Sequence, residues 1–427
     1  MDGLDLRFRV PSSELLTLPW LEPLDQWDAT VVPIRDVPVG PSRHLVRFVE
    51  ADGALWALKV LPRPVASREY HVLRELEERS LPAVRAAGIV VQPFPDTAIL
   101  LTRYLEGSWQ YRRLLMRVPV TMGKHRARLF DAMAALLVDL HRSGVYWGDC
   151  SLANTLFKRD GQLLQAWLVD AETSAVHPSL SDGQRAADLE IMVENVAGGL
   201  LDVAARLEEP PEINELLLDE ALGVRRRYEA LWEVLHEQPL VRLGDRHEVE
   251  ARLRRLTDLG FVVDEVRFVP DESGDDRLRL QVAVAERGFH AEQLRRLVGL
   301  DVGEGQATIL LNDLQAYRTR MAVAGIEAFE AEMAHRWRHE VLGPGMAKAH
   351  DALGGLGDPI QAYCDLLEVR WLLSEQAGRD VGDEPALGML RRRAAPAESA
   401  AAMAVAELAT EEVPVVRLLD PPDDVGR

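Results

Sequence analysis

One switch of hydrophobic period constrains the fold more than any other feature of this chain. Residues 44–61 contain two short apolar runs, HLVRFVE and ALWALKVL, separated by ADG, and turn residues between β-like runs predict a hairpin. From Ser67 the period lengthens. Tyr70, Val72, Leu73 and Leu76 recur at helical spacing through SREYHVLRELEERSL, with Ser67 as the candidate N-cap. TAILLTRYLEG then reads as a buried strand leading into a linker at Gly107. Residues 125–142, HRARLFDAMAALLVDLHR, are apolar nearly all round, as in a helix buried within a mainly helical body. Strands with one helix, followed by helices, predict two lobes joined near residues 103–107.

The flanks are of a different character. Residues 1–30 read as an extension in which Pro19, Trp20 and Trp27 are available to pack onto a neighbour. Beyond Pro210 and Pro211 the order helix, strand, turn, strand, helix over HEVEARL to RRLVGL predicts a small α+β module. Residues 306–391 read as helices broken by GPG and GGLGD, and the Ala- and Pro-rich end beyond Arg393 reads as a flexible tail.

Composition narrows the function classes. A net charge of −20 disfavours a non-specific binder of nucleic acid or anionic membrane, so an anionic substrate would need a metal or a locally basic pocket. MDGLDLRFRVPSSELL has no signal-peptide pattern and no run approaches a membrane span, from which a cytoplasmic location is expected. Two cysteines, Cys150 and Cys364, are too few for a disulfide framework or a Cys-rich metal site.

Chemistry enters with four stretches. In ALWALKV the strand period puts Ala57 and Lys59 on one face, a small residue and a cation suited to a purine ring and its phosphates. The bland reading of Lys59 is an edge-strand lysine that discourages aggregation. Glu69 on the following helix could fix that ammonium by an ion pair; Glu75 competes for the role, and either could be a solvated-face charge. YWGDCSLANTLF places Asp149 and Asn154 on one short loop, a carboxylate to orient an attacking hydroxyl and an oxygen donor for Mg²⁺, although a capped turn uses the same residue types. AWLVDAETS ends a buried strand in Asp170, poised to ligate a hard cation.

Lysine, helix glutamate, Asp-x(4)-Asn and strand-end aspartate occur in the order used by protein kinases. On WALK, REYHVLREL, LHRSGVYWGDCSLANTLF and LVDAET, residues 31 to about 205 resemble a kinase fold, nearest the bacterial lipopolysaccharide-core (Kdo-type) sugar kinases and the aminoglycoside and choline kinases. RWRHEVLGPG and DPIQAYCDLLEVRWLLSEQAGRDVG resemble a bacterial domain of uncharacterised function fused behind such kinases. The resemblance implies an α+β, bilobal protein-kinase-like fold, with a small β-rich N-lobe and a helical C-lobe, followed by a small α+β module and a helical C-terminal region. The boundaries expected are 1–30 for the extension, 31–106 and 107–207 for the lobes, 208–305 for the module, 306–391 for the helical domain and 392–427 for the tail.

The resemblance also implies roles. Lys59 would contact the α- and β-phosphates of ATP with Glu69 positioning it, Asp149 would be the catalytic base, Asn154 and Asp170 the Mg²⁺ ligands, and Asp188 in RAADLEIM the brace of the catalytic loop. His141 matches a structural position. Three departures stand out: Trp147 where related kinases usually have His, a phosphate loop VPVGPSRHL with only Gly40 and with Arg43 and His44 to compensate, and Ala171-Glu172 after the metal-binding aspartate. Glu172 reads as solvated, with assistance to a second metal as the alternative.

His335 and His339 have metal-ligand spacing, but with only the distant His350 as a third ligand they read as a packed or surface pair. Cys150, next to Asp149, reads as an inert loop residue. The expected activity is ATP- and Mg²⁺-dependent phosphoryl transfer to a hydroxyl of a small molecule or sugar-containing metabolite. The rival is a pseudokinase, a nucleotide sensor or structural module whose C-terminal region engages a protein partner. Nucleic acid is not expected as a partner.

Overall fold

In a computed structural model of the chain the described residues are 4–393, apart from 11, 38–42, 94–95, 117–122, 243–245, 259–262, 271–276, 285–287, 327 and 356. Gly40 and the expected tail beyond residue 393 therefore lie outside the described residues. The chain divides into two compact units, one of residues 1–116, 132–158 and 166–225, the other of residues 117–131, 159–165 and 226–427.

The first unit begins with β1 (Asp5–Phe8), a short helix α1 (Ser13–Leu16) and β2 (Ile34–Arg35), and continues through β3 (Val46–Ala51) and β4 (Ala54–Pro62). The expected hairpin is present, its ADG turn bent by positive φ at Asp52 and Gly53. Next come α2 (Arg63–Glu78), β5 (Ala86–Val91) and β6 (Thr97–Arg103). Six antiparallel strands pair in the order β1-β5-β6-β4-β3-β2. Trp56 and Leu58 on one face of β4 join Val49, Val90, Ile99 and Leu101 in an apolar core, together with Trp20 and Trp27 from the first thirty residues. The N-terminal segment thus supplies an edge strand and two core tryptophans to this sheet. Lys59 belongs to the opposite face, the face of α2.

Helix α2 starts five residues earlier than its sequence pattern suggests. Pro62 is its N-cap, in extended conformation, and Pro64 occupies the first turn, where a missing N–H costs nothing. Ser67 is therefore inside the helix and does not cap it. Burial of Ala66, Glu69, Tyr70, Leu73 and Leu76 follows the 3.6-residue period and turns Glu69 inward.

After β7 (Ser108–Gln110) and α3 (Tyr111–Leu115) the chain turns helical, as expected. Helix α4 (Gly123–Arg142) buries Phe130, Met133, Leu137 and Leu140, among others. Three elements then frame a loop: β8 (Val145–Tyr146), the hairpin of β9 (Thr155–Asp160) and β10 (Leu163–Leu168), and β11 (Ala175–Val176), which pairs antiparallel with β8. Helix α5 (Asp182–Arg206) is started by a capping box between Ser181 and Gln184 and buries Asp188 amid an apolar stripe. Helix α6 (Asn214–His236) follows.

The second unit contains the expected module: β12 (Leu240–Arg242), α7 (Arg246–Asp258), β13 (Val263–Pro270), β14 (Arg277–Val284) and α8 (Phe289–Val298), with strand order β12-β14-β13. Helices α9 (Glu304–Val323), α10 (Glu330–Trp337), α11 (Gly343–Ala352), α12 (Pro359–Ala377) and α13 (Asp383–Arg393) enclose a core around Leu310, Leu314, Trp337 and Tyr363. Asp313 accepts hydrogen bonds from Trp337 Nε1 at 2.8 Å and the Tyr363 hydroxyl at 2.9 Å, satisfying the polar atoms of both buried rings. The β9–β10 tip is part of this unit: Arg159 forks onto Asp365 at 2.8 and 2.9 Å, and Gly161 exchanges two hydrogen bonds with the Gln361 carboxamide. Among the described residues no helix is long and apolar enough to cross a membrane.

Candidate active site

Strand β4 delivers Lys59 and helix α2 delivers Glu69 from across the same face. Lys59 Nζ lies 3.2 Å from Glu69 Oε2 and 2.7 Å from Asp170 Oδ2. Glu69 is the partner and Glu75 is not; Glu75 faces Arg79 one turn on. Asp170 follows β10, and the residue before it is anchored by a bond from Val169 N–H to the carbonyl of Asn154 at 3.1 Å. That bond sets the end of the strand beside the loop carrying Asp149 and Asn154. Ala57 is half-buried two residues before Lys59 on the same strand face.

Burial opposes the Lys59 charge, but Glu69 and then Asp170 outweigh it and hold the ammonium above its ordinary range. Glu69 is pushed up to about 7, first by burial and then by the charge of Asp170, with Lys59 pulling the other way. Its second oxygen accepts the Ala171 N–H at 3.3 Å, joining helix α2 to the segment after Asp170.

The loop 147–154 is fixed mostly from below. Asp188 of α5 accepts the N–H groups of Trp147 at 2.7 Å and Gly148 at 2.8 Å, and its Oδ2 also meets His141 Nε2 at 3.0 Å. Gly148 has φ +78°, and a Cβ there would stand 2.9 Å from the Thr173 carbonyl oxygen, so only glycine turns the chain into Asp149 without strain. Asn154 donates to the Asp149 carboxylate at 3.0 Å and to its carbonyl at 3.1 Å. Trp147 is fully buried and donates its indole N–H to the Asp170 carbonyl at 3.3 Å. Cys150 is buried, and burial together with Asp188 and Asp149 raises its thiol well above the usual value, which suits an inert loop residue.

Three side chains depart from their sequence reading, and a fourth, Asn195, had none. Glu172 is not solvated: it is only 14% exposed and lies 3.2 Å from His44 Nε2, 3.3 Å from an Arg43 nitrogen and 3.7 Å from Lys59 Nζ. Arg43 and His44, expected to compensate for a glycine-poor phosphate loop, meet this carboxylate instead. Asn195, on α5, donates to the Asp149 carboxylate at 2.9 Å and to the Cys150 carbonyl at 3.2 Å. Nothing local in IMVENVAGGL marks it; its distance of seven residues from Asp188, about two helical turns, is the signal that could have.

Among the described residues, Glu69, Asp170 and Glu172 present oxygens within 4.8 Å of one another that could hold a metal ion. Oxygen donors of this kind suit a hard cation. Asn154, expected beside Asp170 as a metal ligand, commits its amide nitrogen to Asp149. His335 and His339 have ring centroids 4.4 Å apart and belong to no such group among the described residues.

Comparison with known proteins matches residues 52–202 to the lipopolysaccharide kinase (Kdo/WaaP) family and residues 230–391 to a domain of unknown function (DUF4032). No curated protein matches the chain. Among solved structures, one described as WaaP in complex with acyl carrier protein is similar at 17% identity over 49% of this chain and 91% of that one, with a TM-score of 0.29. That likeness is too loose to carry an argument. The likeness to that kinase family rests on the match of residues 52–202.

Proposed function

We propose that this Kdo-type kinase-like region, fused to a domain of unknown function, is a phosphotransferase that moves the γ-phosphoryl group of ATP to a hydroxyl of a small molecule or sugar-containing metabolite. The observation that carries the reading is the Lys59 ammonium held 3.2 Å from Glu69 and 2.7 Å from Asp170, at a strand end tied by backbone to the Asp149–Asn154 loop. In this reading Lys59 binds the α- and β-phosphates and Glu69 keeps it extended toward them. Ala57 leaves room for the adenine.

Asp149 orients the acceptor hydroxyl and takes its proton as the oxygen attacks the γ-phosphorus; the bond from that phosphorus to the β–γ bridging oxygen breaks, and ADP leaves. Asn154 and Asp170 would hold Mg²⁺, which supplies charge neutralisation on the phosphates when bound. Trp147, where related kinases usually carry His, favours the pseudokinase rival, yet its indole N–H donates to the Asp170 carbonyl and ties the two segments of the site together. Acidic Glu172 beside Lys59 favours a small-molecule acceptor over a protein one, as in the small-molecule kinases that carry an acid there.

The test pairs binding with turnover. MgATP should raise the melting temperature of the wild type and of Asp149→Asn alike, while ADP release is abolished in Asp149→Asn. Equal ADP release by the two proteins would sink the mechanism. Stabilisation by MgATP with no turnover in either would favour the nucleotide-sensing pseudokinase.

A further inference from the structure

The Asp149 carboxylate is gripped by two carboxamides, one on each oxygen. Asn154 takes Oδ2 at 3.0 Å from within the loop, and Asn195 takes Oδ1 at 2.9 Å from helix α5. The same Asn195 nitrogen reaches the Cys150 carbonyl at 3.2 Å. Helix α5 therefore supports the loop at two levels: Asp188 receives the backbone N–H groups of Trp147 and Gly148, and Asn195, on the same face two turns later, holds the side chain that follows them.

We infer that Asn195 is a positioning residue for Asp149, setting the angle at which its carboxylate meets the acceptor hydroxyl; the inference rests on the phosphotransferase reading. An aspartate side chain rotates about two bonds, and a hydrogen bond to one oxygen leaves the plane of the carboxylate free to swing. A second donor on the other oxygen fixes that plane, so the outward lone pairs face one direction. The donor is a neutral amide, which supplies N–H groups without a charge. An arginine or lysine there would form an ion pair competing with the hydroxyl proton, and a carboxylate would repel Asp149. The support comes from a long helix capped at Ser181 and anchored by buried Asp188, Met192 and Val196, which makes it rigid compared with a loop residue.

Asn195→Ala and Asn195→Asp test this in the full chain, by ADP release from MgATP and by MgATP-induced thermal stabilisation. Asn195→Ala is expected to lower kcat at least tenfold while KM for ATP and the MgATP-induced shift stay within twofold of wild type, because the nucleotide contacts are elsewhere. Asn195→Asp keeps the shape and should lose at least as much kcat, because it removes the donor and adds a like charge. A kcat within twofold of wild type in either variant overturns the inference. Wild-type ADP release no greater than that of Asp149→Asn tells against the phosphotransferase reading itself. The positioning claim is then decided by a crystal structure of Asn195→Asp: an unmoved Asp149 carboxylate overturns it, and a rotated one supports it.

Discussion

Trp147 and Asp170 are joined by a hydrogen bond from the buried indole N–H to the aspartate's backbone carbonyl, 3.3 Å long, and this bond crosses between the two segments that carry the candidate chemistry. The Trp147 carbonyl also accepts the hydroxyls of Thr173 and Ser174, each at 3.0 Å, so the residue is tied to the Asp170 segment at both ends. Trp147→Phe removes one neutral hydrogen bond and part of the ring volume and should lower stability by about 1–3 kcal/mol. Trp147→Ala also opens a cavity in a fully buried position and should cost about 3–5 kcal/mol. Chemical denaturation measures both; equal losses in the two variants would show that the ring's volume is not what the site uses.

Lys59 reaches Glu69, Asp170 and Glu172 at once, and its side chain is only 15% exposed. Lys59→Met leaves the carboxylates without that partner and removes the group that would meet the phosphates. ADP release should fall by about 10²–10³-fold, the usual effect of deleting one preorganised donor. MgATP-induced stabilisation should shrink in the same variant, which isothermal titration can quantify. Unchanged nucleotide affinity would place the phosphates away from β4.

Glu69 predicts a pH dependence for the protein free of nucleotide and metal. Burial and Asp170 raise it from 4.5 to about 7, so between those values the native state retains a proton that the unfolded chain has released. Its contribution to stability is therefore full below about pH 4.5 and is lost as pH rises through about 7. Glu69→Gln has no such proton to lose, and its melting temperature should gain on that of the wild type across this range. Parallel melting curves for the two proteins from pH 4.5 to 7 would contradict the assignment.

How much of this was legible beforehand depended on whether a signal was local. Lys59, Glu69, Asp149, Asn154 and Asp170 could be found because each is marked within its own strand, helix or loop, and their order along the chain did the rest. Ser67 misled because a good capping residue lies one turn inside a helix that two prolines start earlier. Glu172 read as solvent-facing because an acid after a strand end usually is, whereas His44, Arg43 and Lys59 converge on it from other elements. Trp20 and Trp27 carry no periodic signal, and their burial follows from β1 pairing with β5 some eighty residues away. Asn195 and the attachments of Arg159 and Asp160 are of the same kind: polar residues of ordinary appearance whose partners are distant in sequence.

Asp160 gives the sharpest stability prediction in the second unit. Its carboxylate accepts the Gly305 N–H at 2.9 Å and the Gln306 N–H at 2.8 Å, at the first turn of α9, where unpaired N–H groups and the helix dipole both favour an anion. The side chain fits because Gly303 has none: a Cβ there would lie 2.3 Å from the carboxylate. Asp160→Ala leaves two donors without their acceptor in a buried place and should cost on the order of 2–4 kcal/mol. Gly303→Ala keeps ordinary backbone angles, since φ is −73°, and the three atoms nearest its new methyl are those of the Asp160 carboxyl group. The two losses should consequently fail to add. With the carboxylate removed that collision is relieved, and the double variant should be no more than about 1 kcal/mol less stable than Asp160→Ala. A denaturant double-mutant cycle reads this directly: strict additivity would mean that Gly303→Ala is destabilised by something other than the Asp160 side chain.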